Sequence, residues 1–207
     1  MEVVITRDVL KQMLLKAADI WMEHKDALSE IDSRFGDGDH GVTIGKIAGL
    51  IRKDVEEWQD ESIYDFLDDL GMDIMAVSGG SAGPLYGTMI GGLAGPLENV
   101  EEIDGAVLKD MFAASLESME DITKAKIGDK TMMDALIPAV EAAKGAGDDV
   151  KEILEAARKA AEKGAKDSEQ YISKFGRARS YKEQTIGTPD AGAVSTSLFF
   201  AGLAEGI

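Results

Sequence analysis

The 207-residue chain contains no cysteine. That absence excludes a disulfide framework, a thiolate zinc site and a cysteine nucleophile, and nothing points to an oxidising compartment. Histidine is nearly as scarce: His24 and His40 are the only two, too few for a His-rich zinc site. Charge breaks every apolar run well short of the roughly 20 residues a membrane span needs. The opening MEVVITRDVLKQ lacks the basic-then-apolar order of a signal peptide. A cytoplasmic location is expected from both. Basic residues are also few, 22 against 39 acidic, for a formal charge of −17. A surface of that sign repels nucleic-acid backbones and anionic lipid, so neither nucleic acid nor membrane is an expected partner. Solubility accounts for most of the excess. A phosphate ligand would still need cations, and with so few Lys and Arg available metal ions are the natural source.

No Pro/Gly/Ser-rich or charge-rich stretch divides the sequence and no internal repeat is visible, so a single domain over 1–207 is expected. No segment alternates with period two. Apolar residues instead recur at three and four, which predicts an all-α fold. Leu10, Leu14, Ala17 and Trp21 form a stripe in a first helix capped by Thr6, and Ile44, Ile47, Ile51, Val55 and Trp58 form a second. Ser62 with Asp65 resembles a capping box ahead of Phe66, Leu70, Ile74 and Val77, and a fourth helix is expected near Pro84, as its first residue. A fifth runs from about Gly105 to Thr123 through Leu108, Phe112 and Met119. A sixth starts at Thr131 with Asp134 as its capping partner, carries Leu136 and Val140, and is expected to kink at Pro138. A long Ala-rich seventh follows Asp148. An eighth, after Pro189 and Asp190, carries Val194, Leu198 and Ala201.

Four connections stand out: GDGDHG (36–41), SGGSAG (78–83), GDKT (128–131) and GTPDAG (187–192). If neighbouring helices run antiparallel, the N-termini of helices two, four, six and eight meet at one end of the bundle, and so do these loops. Helix N-termini offer unpaired N–H groups and partial positive charge, and glycine lets a ligand approach the backbone, so an anion site is expected there. Helix capping explains any one such loop. It does not explain four at one end.

The segment IDSRFGDGDHG sets Asp32, Asp37 and Asp39 in the spacing D-x4-D-x-D. Carboxylates that crowded repel one another unless a cation or protons intervene, and hard oxygen ligands favour magnesium, calcium or manganese. Gly36, Gly38 and Gly41 also match G-x-G-x-x-G. A helical pattern precedes them, however, where a dinucleotide fingerprint needs a strand, and two aspartates would repel a pyrophosphate without metal. An EF-hand counted from Asp37 places Ala48 where the bidentate Glu belongs. GDKT lacks the glycine loop of a Walker A sequence. His40, beside Asp39, is a candidate ligand contact, whereas His24 lies in a polar helical run. Lys130, Arg177 and Arg179 lie in or near the converging loops.

In their order, Asp32 with GDGDHG, SGGSAGPLYGT, GDKTMMDAL, GRARSY and GTPDAGA resemble the L subunit of dihydroxyacetone kinases, the DhaL family, from about Asp19 to Ala201. The resemblance implies an eight-helix antiparallel up-and-down bundle or barrel with a nucleotide, ADP or ATP, at one end. It implies that Asp32, Asp37 and Asp39 hold two Mg2+ ions on the phosphates. His40, Gly41, Val42 and Thr43 would open helix two at the phosphates, with Ser81 and Ala82 at helix four and Thr131 and Met132 close to the nucleotide. Arg177, as a catalytic cation, and the Asp190, Ala191, Gly192 turn would complete the site. Thr43 stands in the place of an Asn, and Ala191 in the place of the Pro of a more usual Asp-Pro-Gly.

Phosphoryl transfer depends mainly on positioning and charge neutralisation, which metals, helix N-termini and one or two cations supply. The resemblance further implies a partner subunit that holds dihydroxyacetone. It also implies a phosphotransferase-system subunit that recharges bound ADP from phosphoenolpyruvate. Exchanging ATP, a nucleotide-dependent module read by a transcription regulator, and a kinase acting on a fatty acid or sugar acid are the other readings.

Overall fold

The computed structural model describes residues 3–207. Eight α-helices are present: α1 (Arg7–Ser33), α2 (His40–Glu57), α3 (Ile63–Met75), α4 (Ala82–Gly92), α5 (Gly105–Ile122), α6 (Met133–Gly145), α7 (Val150–Asp167) and α8 (Ala191–Glu205). Two 3-10 segments, Ser168–Gln170 and Arg177–Thr185, lie between α7 and α8. Pairing of extended backbone is limited, among the described residues, to an isolated antiparallel bridge between Ile5 and Ile103.

The helices pack in chain order into a ring. Helix α1 lies between α2 and α8, then α7, α6, α5, α4 and α3 follow, and α2 closes the circle against α3 and α4. The expected stripes face inward: Leu10, Leu14, Ala17 and Trp21 on α1 and Ile44, Ile47, Ile51 and Val55 on α2 are buried. Aromatic rings cross the interior. Trp21 of α1 meets Tyr86 of α4 edge-on at 5.2 Å and Phe199 of α8 at 5.4 Å, while Phe112 of α5 meets Phe200 of α8 at 5.4 Å. Such pairs contribute beyond their buried area.

Caps divide the two ends of the ring. Helices α1, α3, α5 and α7 each begin with a side-chain cap: Thr6 accepts from the Val9 N–H, Ser62 from Asp65, Asp104 from Val107 and Asp149 from Glu152. At the other end the N-cap residues of α2, α4 and α6 make no such bond and only α8 is capped in this way, by Asp190, although the Met133 N–H that opens α6 donates to Thr131 Oγ1 at 3.1 Å.

Three local expectations are corrected. Helix α4 starts at Ala82, so Pro84 is its third residue, still within the first turn where an N–H has no helical acceptor. Helix α6 starts at Met133, two residues after Thr131, while the expected pairing of Thr131 with Asp134 is present: the Asp134 carboxylate accepts from the N–H groups of Thr131 (2.7 Å) and Gly128 (2.6 Å), and Thr131 Oγ1 from that of Met133 (3.1 Å). Pro138 lies inside it. In α8 the buried residues include Ala193, Thr196, Phe199, Phe200 and Leu203, whereas Val194, Leu198 and Ala201 are half-buried. Residues 191–204 carry no charge, so periodicity there did not single out a face. Among the described residues no helix is long and apolar enough to cross a membrane.

Candidate functional site

The four glycine-rich connections meet at one end of the ring around a cavity of about 360 Å³, a size suited to a small-molecule ligand. Of the residues marked in the sequence, Asp32, Asp37, Asp39, His40, Ser81, Ala82, Thr131, Met132, Arg177, Asp190, Ala191 and Gly192 line it. Gly41, Val42 and Thr43 do not. A Cβ on Gly41 would fall 1.7 Å from the Lys25 carbonyl oxygen of α1, Val42 is exposed, and buried Thr43 donates its hydroxyl to the Gly79 carbonyl at 3.4 Å. Gly41 and Val42 can serve a ligand only through their backbone N–H groups in the open first turn of α2. Arg179 and His24 also lie away from the cavity lining.

The acidic loop folds back on the end of α1. The Gly36 N–H donates to the Asp32 carbonyl at 2.7 Å, and a Cβ at Gly36 would lie 2.4 Å from Asp32 Oδ1, so only glycine lets the loop turn this close to that carboxylate. Asp32, Asp37 and Asp39 each present an oxygen within 4.8 Å of the others. The charges strain against one another. Asp37 is held below the ordinary carboxylate range, first by the hydrogen bond it shares with Asp39 and further by Arg177. Asp39 is pushed above that range by burial and then by Asp37 and Asp32. Arg177 pairs with Asp37 from the opposite wall. Three hard oxygen donors at this spacing fit a magnesium-type cation.

His40 opens α2. Its N–H donates to Asp32 Oδ2 at 3.4 Å, and its ring Nε2 lies 2.8 Å from Ser195 Oγ. Burial lowers its pKa against the pull of Asp32. Sequence reasoning did not mark Tyr86, which lines the cavity and whose hydroxyl reaches the Gly192 carbonyl (3.0 Å), Ser195 Oγ (2.5 Å) and Thr196 Oγ1 (2.9 Å). Its position four residues after Ala82, on the same helical face, is the signal that points to it. Phe35, Ser173, Phe175 and Thr188 line the cavity too.

A second polar cluster, Asp190 with Lys130, lies in the cavity wall itself. Asp190 caps α8 by accepting from the Ala193 N–H at 2.8 Å, and burial pushes its carboxyl up to about 7. Lys130 is buried beside it, its pKa lowered by burial and held up by Asp190, Asp134 and Glu169.

A ring of helices with three clustered carboxylates beside the helix N-termini of one end is the arrangement expected of a metal-assisted anion-binding domain. The family comparison agrees with that class. The chain belongs to the DAK2 domain family, whose model matches residues 34–205. It is 34% identical to the PEP-dependent dihydroxyacetone kinase 1, ADP-binding subunit DhaL, of Listeria innocua, over 86% of this chain and 85% of that one. It is 35% identical to the L-erythrulose kinase of Pectobacterium atrosepticum over 88% of its length but spans only 32% of that enzyme. The crystal structure of the dihydroxyacetone kinase of C. freundii superimposes with a TM-score of 0.75 at 26% identity, covering 96% of this chain and 34% of that one.

Proposed function

We propose that this protein is the ADP-binding subunit of a dihydroxyacetone kinase, in which a nucleotide held at the uncapped helix ends passes its terminal phosphoryl group to a hydroxyl of dihydroxyacetone on a partner subunit. One observation carries the proposal: three carboxylates converge at the end of the ring where the N-cap residues of α2, α4 and α6 make no side-chain cap bond, while the N-cap residue of every helix starting at the opposite end does. Uncapped N–H groups solvate phosphate oxygens, and carboxylates attract the cation that neutralises them. Asp32, Asp37 and Asp39 are the residues to hold two magnesium ions, which when bound supply charge neutralisation at the phosphates. Arg177 brings a cation from the opposite wall toward the transferring group. Tyr86 fixes the first turn of α8 through the Gly192 carbonyl, and with it the wall formed by Ala191 and Gly192.

A match over 86% of this chain and 85% of a PEP-dependent, ADP-binding relative supports ADP as a resident cofactor, recharged by a phosphotransferase-system subunit. The test combines the purified chain with a dihydroxyacetone-binding subunit and phosphotransferase-system proteins. ADP is expected on mass analysis of the released nucleotide, and dihydroxyacetone phosphate is expected to form from phosphoenolpyruvate. Absence of bound nucleotide together with absence of product from either phosphoenolpyruvate or ATP would overturn the proposal.

A further inference from the structure

Between α7 and α8 the chain leaves the ring as a strap that carries Phe175 and Arg177 over the cavity. From Lys174 to Gly187 only Thr185 is buried, so the strap has almost no core of its own. Segments with few buried contacts open at low cost unless something ties them down. Its two ends meet at one point. The Gly187 N–H donates to the Glu169 carbonyl at 2.7 Å, and the Asp190 N–H to Ser168 Oγ at 2.9 Å. Into the same point runs the ammonium of Lys130, which donates to the Ser168 carbonyl at 2.5 Å and to the Thr188 carbonyl.

We infer that Lys130 is a positioning residue whose buried ammonium closes the neck of the strap and so holds Arg177 at the acidic triad. Lysine is an unusual choice for a site only 5% exposed, and its backbone there lies in the left-handed region at φ 63°. Both features cost free energy and persist only where the surroundings compensate for them. Here one cation bonds carbonyls that stand twenty residues apart in sequence, and bonds to a charged donor are about twice as strong as neutral ones. The strap's other attachments lie nearer the surface. Lys174 pairs with Asp129 at 2.6 Å with its side chain 61% exposed, where solvent screens the charge, and its N–H donates to the Asp129 carbonyl at 3.1 Å; Tyr181, itself exposed, rests against the Phe35 ring at 5.1 Å. Arg177 meets Asp37 with a side chain 71% exposed, so its placement also depends on the neck.

The link to Arg177 rests on the proposed nucleotide role; the closing of the neck does not. The test uses wild type, Lys130→Met, Arg177→Ala and the double variant. Limited trypsin digestion, read by mass, reports cleavage in the strap at Lys174, Arg177, Arg179 and Lys182. Calorimetry reports Mg·ADP affinity. Cleavage of the strap in Lys130→Met is expected to accelerate about tenfold or more, with helical circular dichroism unchanged. Lys130→Met and Arg177→Ala are expected to weaken Mg·ADP binding alike, and the double variant no further than either. Unchanged strap cleavage in Lys130→Met would overturn the neck, and losses that multiply in the double variant would overturn the route through Arg177. A wild type that binds no Mg·ADP would refute the proposed function, and the cleavage result would still decide the neck. Should Lys130→Met fail to fold, amide exchange in wild type decides: the Gly187 N–H is expected to exchange far more slowly than the amides of residues 179–183, and equal rates would overturn the closed neck.

Discussion

Replacing Gly41 with alanine tests how the first turn of α2 is held in place. The added Cβ would lie 1.7 Å from the Lys25 carbonyl oxygen and 2.6 Å from Ser29 Oγ. A carbon and an oxygen rest at roughly 3.3 Å or more, so α2 must retreat from α1 by about 1.5 Å. The obstacle is backbone, and no rotamer change relieves it. Overpacking of this kind costs about 1–3 kcal/mol and sometimes more. The helical preference of alanine over glycine returns about 1 kcal/mol at most. A net loss of up to about 2 kcal/mol is expected, equivalent to as much as about 4–8 °C in Tm for a chain of this size. Gly45, one turn later on the same helix, is the control: its added Cβ meets only the flexible Lys25 side chain, Cδ at 3.3 Å, and Met22 Sδ at 3.9 Å. Gly45→Ala is therefore expected to be neutral or to stabilise by up to about 1 kcal/mol. Urea unfolding followed by circular dichroism measures both. Because Asp39 and His40 stand at the displaced end, Mg·ADP affinity is expected to fall in Gly41→Ala and hold in Gly45→Ala. A Gly41→Ala protein as stable as Gly45→Ala would refute the close approach of α1 and α2.

Two further outcomes follow from the caps. Asp190 has its carboxyl raised to about 7 by burial, against about 3.9 in an unfolded chain. Between those values the folded state keeps a proton that the unfolded state has lost, so this group's contribution to stability falls as pH rises from about 4 to about 7. Asp190→Asn keeps an oxygen for the Ala193 N–H and is expected to flatten that decline, read as the difference between the variant's and the wild type's urea midpoints at pH 5 and pH 8. An identical difference at the two pH values would refute it. Ser62→Ala removes the hydroxyl that accepts from the Asp65 N–H at 3.0 Å. It is expected to cost about 1 kcal/mol and to leave Mg·ADP affinity unchanged, since α3 begins at the opposite end of the ring; weakened binding would count against that separation.

Much of this architecture was legible in the residues. The stripes of α1 and α2 each bury one face, and that is the condition under which three-and-four spacing reports a helix. Thr6 and Ser62 were readable as caps because a cap depends on its own turn. Asp32, Asp37 and Asp39 were readable as a cluster because only six positions, two of them glycine, separate the first from the last and leave the loop little room to spread them. What was not legible depends on contacts distant in sequence. The burial of Lys130 follows from carbonyls at Ser168 and Thr188, and the role of Gly41 follows from a carbonyl on α1. The strap, polar and without helical period, gave no periodic signal, although it supplies several residues of the cavity wall. In α8 the signal was saturated: a helix without charge on any face, packed against α1, α6 and α7, has no polar side to reveal its orientation.

The central claim is that three carboxylates and open helix ends bind a nucleotide through a divalent cation. Calorimetric titration of ADP into the purified, nucleotide-stripped protein tests it most directly, with magnesium and with EDTA, for wild type and Asp37→Asn. Binding is expected only with magnesium, and it is expected to weaken about a hundredfold or more when the Asp37 charge is removed. ADP binding of equal strength in EDTA, or undiminished in Asp37→Asn, would contradict the account.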